Sequence, residues 1–210
     1  MTTTRNQLCG FNDFCPTSSS TNPAFCGRCP TGCVATAMAQ VLRFHSFPNF
    51  VWMPNTGGYS TMPNTTGSQA TATLMLQCGN NVSMNWGNES SGAQTSAIEH
   101  ALEVFGYSTE VEYQSYYADA VSVDINANRP VILDGFTSYS CFWAWCWPSG
   151  SGHAWVADGF HRTDHPCWGT NTSFHMNWGW GGSHNGMFYN PDPPPWNFQH
   201  YRKMLYKIHL

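Results

Sequence analysis

The chain has 210 residues, of which 10% are charged and 15% aromatic, and its net charge is −4. Eight basic residues against twelve acidic ones exclude a nucleic-acid surface by charge. The apolar content excludes a disordered tail, and without an apolar run of about 18 residues nothing spans a bilayer.

Residues 6–32 hold four cysteines among Gly, Pro and Ser and read as a stapled, loop-like arm. Residues 33–45 then place Val34, Met38, Val41 and Leu42 at helical spacing, which predicts an amphipathic helix on a core. Thr31 and Gly32 suit its N-cap region, Pro30 marks its entry, and Pro48 lies past its end. Residues 52–92 are rich in Gly, Asn, Ser, Thr and Pro and predict long loops. Residues 93–105 predict a second helix with Ala97, Ile98, Ala101, Leu102 and Phe105 on one face and Gly106 as its stop. Strand signals follow at 131–133, 153–160, 173–178 and 203–209, with a turn-rich loop between the middle two. The expected class is α+β, one domain over 1–210 with a mainly helical lobe at 1–115 and a mainly β lobe at 116–210.

Nine cysteines suit an oxidising, extracellular compartment. The count is odd, so four bridges would leave one thiol. Cys33, where the first helix begins, is the candidate: partial positive charge and N–H groups there favour a thiolate and could hold an oxyanion. The alternative is a bridge member or a small buried hydrophobe. Cys26-Gly-Arg-Cys29 raises a weak zinc or redox reading. A thiolate needs a base. Among nine histidines, His153 stands out, because Ser149-Gly150-Ser151-Gly152 leads it straight into an apolar strand. A strand-edge structural histidine is the plainer reading. Asn177, 24 residues later in Asn-Trp-Gly-Trp-Gly-Gly, suits an imidazole orienter, or it belongs to a turn that packs a sheet edge. Four Asn-x-Ser/Thr sites, at Asn64, Asn81, Asn88 and Asn171, matter only in a eukaryotic host.

Three segments together resemble the streptopain-type cysteine peptidases, a secreted bacterial branch of the papain-like fold. They are Thr31-Gly32-Cys33-Val34-Ala35-Thr36-Ala37-Met38-Ala39-Gln40-Val41, Gly152-His153-Ala154-Trp155-Val156-Ala157-Asp158-Gly159 and His175-Met176-Asn177-Trp178-Gly179-Trp180-Gly181-Gly182. A weaker segment, Gln7…Phe11-Asn12…Cys15-Pro16, fits the family's start. The resemblance implies a papain-like two-lobed fold with a cleft between a helical and an antiparallel β lobe. It implies Cys33 as nucleophile, His153 as general base and acid, and Gln7 as oxyanion donor. It also implies Asn177 as the His-orienting residue, Trp178 as its cover, and Trp180, Gly152 and Ser151 beside substrate. Asp158 matches a position read as structural.

The expected activity is therefore that of a secreted cysteine endopeptidase acting on protein or peptide substrates through a thioester. It needs no cofactor and no metal, has no nucleic-acid or membrane partner, and is a monomer. In the family an N-terminal propeptide inhibits the precursor. Residues 1–6 lack an apolar leader, and neither leader nor propeptide is expected in this chain, which reads as a mature or recombinant fragment. Alternatives are a thiol hydrolase of cell-wall peptides and a non-catalytic Trp-rich binding module. The aromatic stretch 138–148 departs from the family's short loop and reads equally as a lid or as a local hydrophobic minicore.

Overall fold

The computed structural model describes residues 1–48, 58–143, 145–166, 169–189 and 198–210. The chain forms two compact units, residues 1–107 with 179–183, and residues 108–178 with 184–210.

The first unit is helical. Helix α1 spans Cys33–His45, as its periodicity predicts. It buries more than a stripe: every residue from Val34 to Leu42 is buried, Thr36 and Gln40 included. A helix apolar around most of its surface is a core element, and Ala35, Ala37 and Ala39 let neighbours approach it closely. Helix α2, Gln69–Asn81, packs on α1 and corrects the expectation of unbroken loop over 52–92; residues 49–57 lie outside the described ones. Ser68 caps α2 by accepting the Thr71 N–H at 3.1 Å, and Ala70, Leu74, Met75 and Cys78 are among its buried residues. The polar Gln, Thr and Asn around them hid the period. Helix α3, Ala97–Val104, buries Ile98, Ala101 and Leu102 and stops at Gly106, whose φ of +90° only glycine adopts readily.

The second unit is a six-stranded antiparallel sheet ordered β1-β6-β2-β3-β4-β5, with β1 Glu112–Ser115, β2 Val131–Phe142, β3 Trp145–His165, β4 Gly169–Asn177, β5 Gly186–Tyr189 and β6 His200–Tyr206. Helix α4, Ala118–Asn126, connects β1 to β2 and lies against β2, β3 and β6. The sequence reading missed β1, α4 and β5. Helix α4 is anchored by a buried carboxylate: Asp124 accepts from the Arg129 guanidinium and from the Lys207 backbone N–H. Such an anchor leaves no apolar period. The strand cores were legible, but β2, β3 and β4 run well past them, because β-pairing holds segments with little apolar content. The turn-rich loop expected between 160 and 173 is two paired strand ends, Phe160↔Phe174 to His165↔Gly169.

The four-bridge expectation is corrected. Bridges join Cys9 to Cys26 and Cys141 to Cys146. Cys15, Cys29 and Cys78 are buried thiols, and Cys167 lies outside the described residues. Burial pushes Cys15 up to about 12 and raises Cys29 and Cys78 as well. With Cys26 bonded to Cys9, Cys26-x-x-Cys29 is not a ligand pair. The minicore reading of 138–148 is also overturned: Phe142, Trp143 and Trp145 are 69%, 91% and 79% exposed.

Candidate active site

The sequence-predicted residues divide between the two units. In the first, Cys33 is the opening residue of α1 and a partly exposed thiol. Gly32 is its N-cap, at φ +80°. A Cβ there would come within 2.8 Å of Met84 Cε and 2.9 Å of the Ser91 carbonyl oxygen. Backbone conformation and crowding thus both demand glycine, and glycine carries no side chain to close over the first-turn N–H groups. Thr36 braces this turn, its hydroxyl donating to the Gly32 carbonyl at 2.8 Å and lying 3.0 Å from the Thr31 hydroxyl. Gln7 is tied to the same approach: its carbonyl accepts the Thr31 N–H at 3.0 Å, two residues before Cys33.

The Gly-rich stretch 179–183 belongs to this unit too. The Gly181 N–H donates to the Arg5 carbonyl at 2.7 Å. Gly179, at φ +73°, lies against α1, where a Cβ would meet Thr36 Cγ2 at 2.8 Å. The glycines of the Trp-Gly-Trp-Gly-Gly run are therefore close-approach positions, with half-buried Trp180 between them.

In the second unit, His153 lies on β3 and is 7% exposed. Its Nε2 stands 3.0 Å from the Trp178 backbone carbonyl. A carbonyl only accepts, so Nε2 carries the proton, and in the neutral ring Nδ1 holds the lone pair. Aromatic rings enclose the imidazole: Trp155 at 6.2 Å, Trp178 at 6.0 Å and Phe198 at 5.3 Å between centroids. Trp155 shares the face of His153 because side chains two apart on a strand point the same way. Burial pushes His153 down to about 4, partly opposed by the Trp178 carbonyl.

Asn177 ends β4, buried and paired with Val156. Trp178 is fully buried, and its N–H donates to Asn185 Oδ1 at 3.0 Å. Gly152 pairs with Phe136, whose ring a Cβ would meet at 2.9 Å, and the Ser151 N–H donates to Thr137 Oγ1 at 3.0 Å. Asp158 is a buried carboxylate that accepts a hydrogen bond from His175 Nδ1. The Trp178 carbonyl, Asn185 and Phe198 escaped the sequence reading. A backbone acceptor has no sequence signature, and Phe198 follows a Pro-rich stretch remote from the motifs.

A family model described as Peptidase C10 family matches residues 5–188, which include Gln7, Cys33, His153 and Asn177. The chain belongs to the Peptidase C10 family. That class is a cysteine-type peptidase. Streptopain from Streptococcus pyogenes serotype M28 (strain MGAS6180) is 27% identical over 197 residues, covering 75% of this chain and 45% of the relative. Streptopain from Streptococcus pyogenes is 28% identical over 198 residues with the same coverage. Thiol protease/hemagglutinin PrtT from Porphyromonas gingivalis is 28% identical over 194 residues, covering 76% of this chain and 20% of the relative. The C10 chain thus spans less than half the length of these curated relatives.

Proposed function

We propose that this C10 chain is a secreted cysteine endopeptidase that cleaves protein and peptide substrates through a Cys33 thioester. The two-lobed papain-like arrangement, with a substrate cleft between the lobes, is part of the same proposal. The observation that carries it is the His153 ring: Nε2 donates to a backbone carbonyl, which leaves Nδ1 as the basic nitrogen. The match over residues 5–188 supports Cys33 as its partner.

Cys33 Sγ attacks the scissile carbonyl carbon, and its proton passes to His153 Nδ1. The oxyanion accepts from the Cys33 N–H and the Gln7 side chain. The C–N bond breaks as His153 Nδ1–H protonates the leaving amine, which leaves a thioester. His153 then deprotonates water, which attacks the thioester, and the acid departs as Sγ regains a proton. Asn177 and the Trp178 carbonyl orient the imidazole, the Trp178 ring covers it, and Trp180, Gly152 and Ser151 line the substrate subsites.

Burial alone keeps the imidazole neutral at neutral pH. A thiolate beside it would favour the charged ring, so the ion pair forms only with an anionic sulfur. The Cys9–Cys26 and Cys141–Cys146 bridges suit an oxidising compartment, and no helix among the described residues is long and apolar enough to cross a membrane. A propeptide-inhibited precursor and a monomeric enzyme come with the streptopain-type resemblance and are proposed on that basis. The test is hydrolysis of casein together with alkylation mapping. Iodoacetamide modifying Cys33 and abolishing cleavage is expected; cleavage that survives complete Cys33 modification overturns the nucleophile.

A further inference from the structure

The strands of the sheet do not end together. β6 meets β2 only as far as Phe136↔His200, and β4 meets β3 only from Val156↔Asn177 onward. Between those limits β2 and β3 continue as a two-stranded arm, Ser138↔Ser149 to Phe142↔Trp145, stapled by Cys141–Cys146. Residues opposite each other share a face, and faces alternate along each strand. Phe142, Trp145 and Trp147 therefore stand on one face of the arm, with Trp143 at its tip. The other face carries the bridge and Tyr139, whose ring lies 4.9 Å from His200. Trp147 is 48% exposed and the other three more so. Residues 135–152 contain no Asp, Glu, Lys or Arg.

We propose that this arm is a membrane-docking element that inserts its aromatic face into the headgroup region of a zwitterionic lipid bilayer. Indole rings favour that region, where an apolar body and an N–H donor are both accommodated. Half of the arm's backbone groups pair across its two strands, and the outward-pointing half stay hydrogen-bonded to water in the headgroup region, which limits insertion to the interface and keeps the arm out of the hydrocarbon. The staple fixes the arm before contact, which limits the ordering cost of binding. Charge selects the lipid: the arm offers no cation, and a chain of net charge −4 is repelled by an anionic surface. This revises the expectation that the chain has no membrane partner, and it does not depend on the peptidase reading.

The test is co-flotation of the full chain with phosphatidylcholine vesicles, together with tryptophan quenching by bromine-labelled acyl chains. Binding is expected, with emission shifted to shorter wavelength and little change between 0.1 and 0.5 M salt, as befits about zero ionic contribution. The double variant Trp143→Ser/Trp145→Ser is expected to lower the partition coefficient about tenfold or more while leaving the thermal midpoint and the hydrolysis of a short soluble peptide unchanged. The variant Arg162→Ala, on the opposite sheet end, should bind as the parent does. The proposal is overturned if the parent chain does not float, if the double variant floats equally well, or if the tryptophans drive self-association or polysaccharide retention instead.

Discussion

Cys33 is held by backbone, whereas His153 is held by side chains. The thiol sits on a helix start whose approach turns through Gly32 at φ +80°, with Thr36 and the Gln7 carbonyl bracing that turn. The imidazole is packed among Trp155, Trp178 and Phe198, with Nε2 on the Trp178 carbonyl. A backbone-built position fails when a Cβ is added, and a packed position fails when atoms are removed. The surroundings of Cys33 should therefore resist truncation and those of His153 should not.

The largest effect tests the thiol itself. Cys33→Ala should lower kcat/KM for a peptide substrate by about 10⁴-fold or more while the thermal midpoint stays put; activity within tenfold of the parent would remove Cys33 from the chemistry. Next comes Phe198→Ala, which opens the aromatic enclosure. It should destabilise the fold by about 3 kcal/mol in urea and move the His153 titration upward from about 4, because water then reaches the ring. An unchanged titration by NMR would show that Phe198 does not keep the ring dry.

Gly32→Ala should cost about 2–3 kcal/mol through strain at positive φ and overlap with the Ser91 carbonyl. A variant as stable as the parent would break the contrast between the two positions.

The pH dependence separates the two charge states of His153. With a folded value near 4 and an unfolded value near 6.5, the unfolded chain binds the proton first as pH falls. His153 then contributes stability above pH 6.5 that is lost towards pH 4, about 3 kcal/mol in all. Cys33→Ala should show this slope relative to the Cys33→Ala/His153→Gln double variant. The smallest effect belongs to the polar end of β3, where Arg162 and Asp164 form an exposed pair at 3.8 Å. Arg162→Ala should change stability by less than about 0.5 kcal/mol, and a larger change in urea would give that end a structural role it lacks here.

The two ends of β3 repeat the lesson. Both are two-stranded extensions held by the same kind of backbone pairing. One exposes Phe142, Trp143 and Trp145; the other exposes His161, Arg162 and Asp164 and carries the Asn171 glycosylation sequon. Pairing decides that each end is ordered, and side chains decide what each can meet.

The sequence alone determined helix α1 to its ends, the face of α3, the strand cores at 131, 153, 173 and 203, and the family through three motifs. Local periodicity, a required glycine and motif spacing survive in one dimension. It did not determine α2, α4, β1 or β5, whose polar faces or dependence on Asp124 erase the apolar period. Nor did it reveal which cysteines pair, since pairing depends on which Cβ atoms the fold brings close. Only the tertiary structure decided that His153 Nε2 meets the Trp178 carbonyl, that Phe198 closes its enclosure, and that the aromatic stretch stands out in solvent. Each of these depends on residues far apart in the chain, or on backbone atoms that every residue shares.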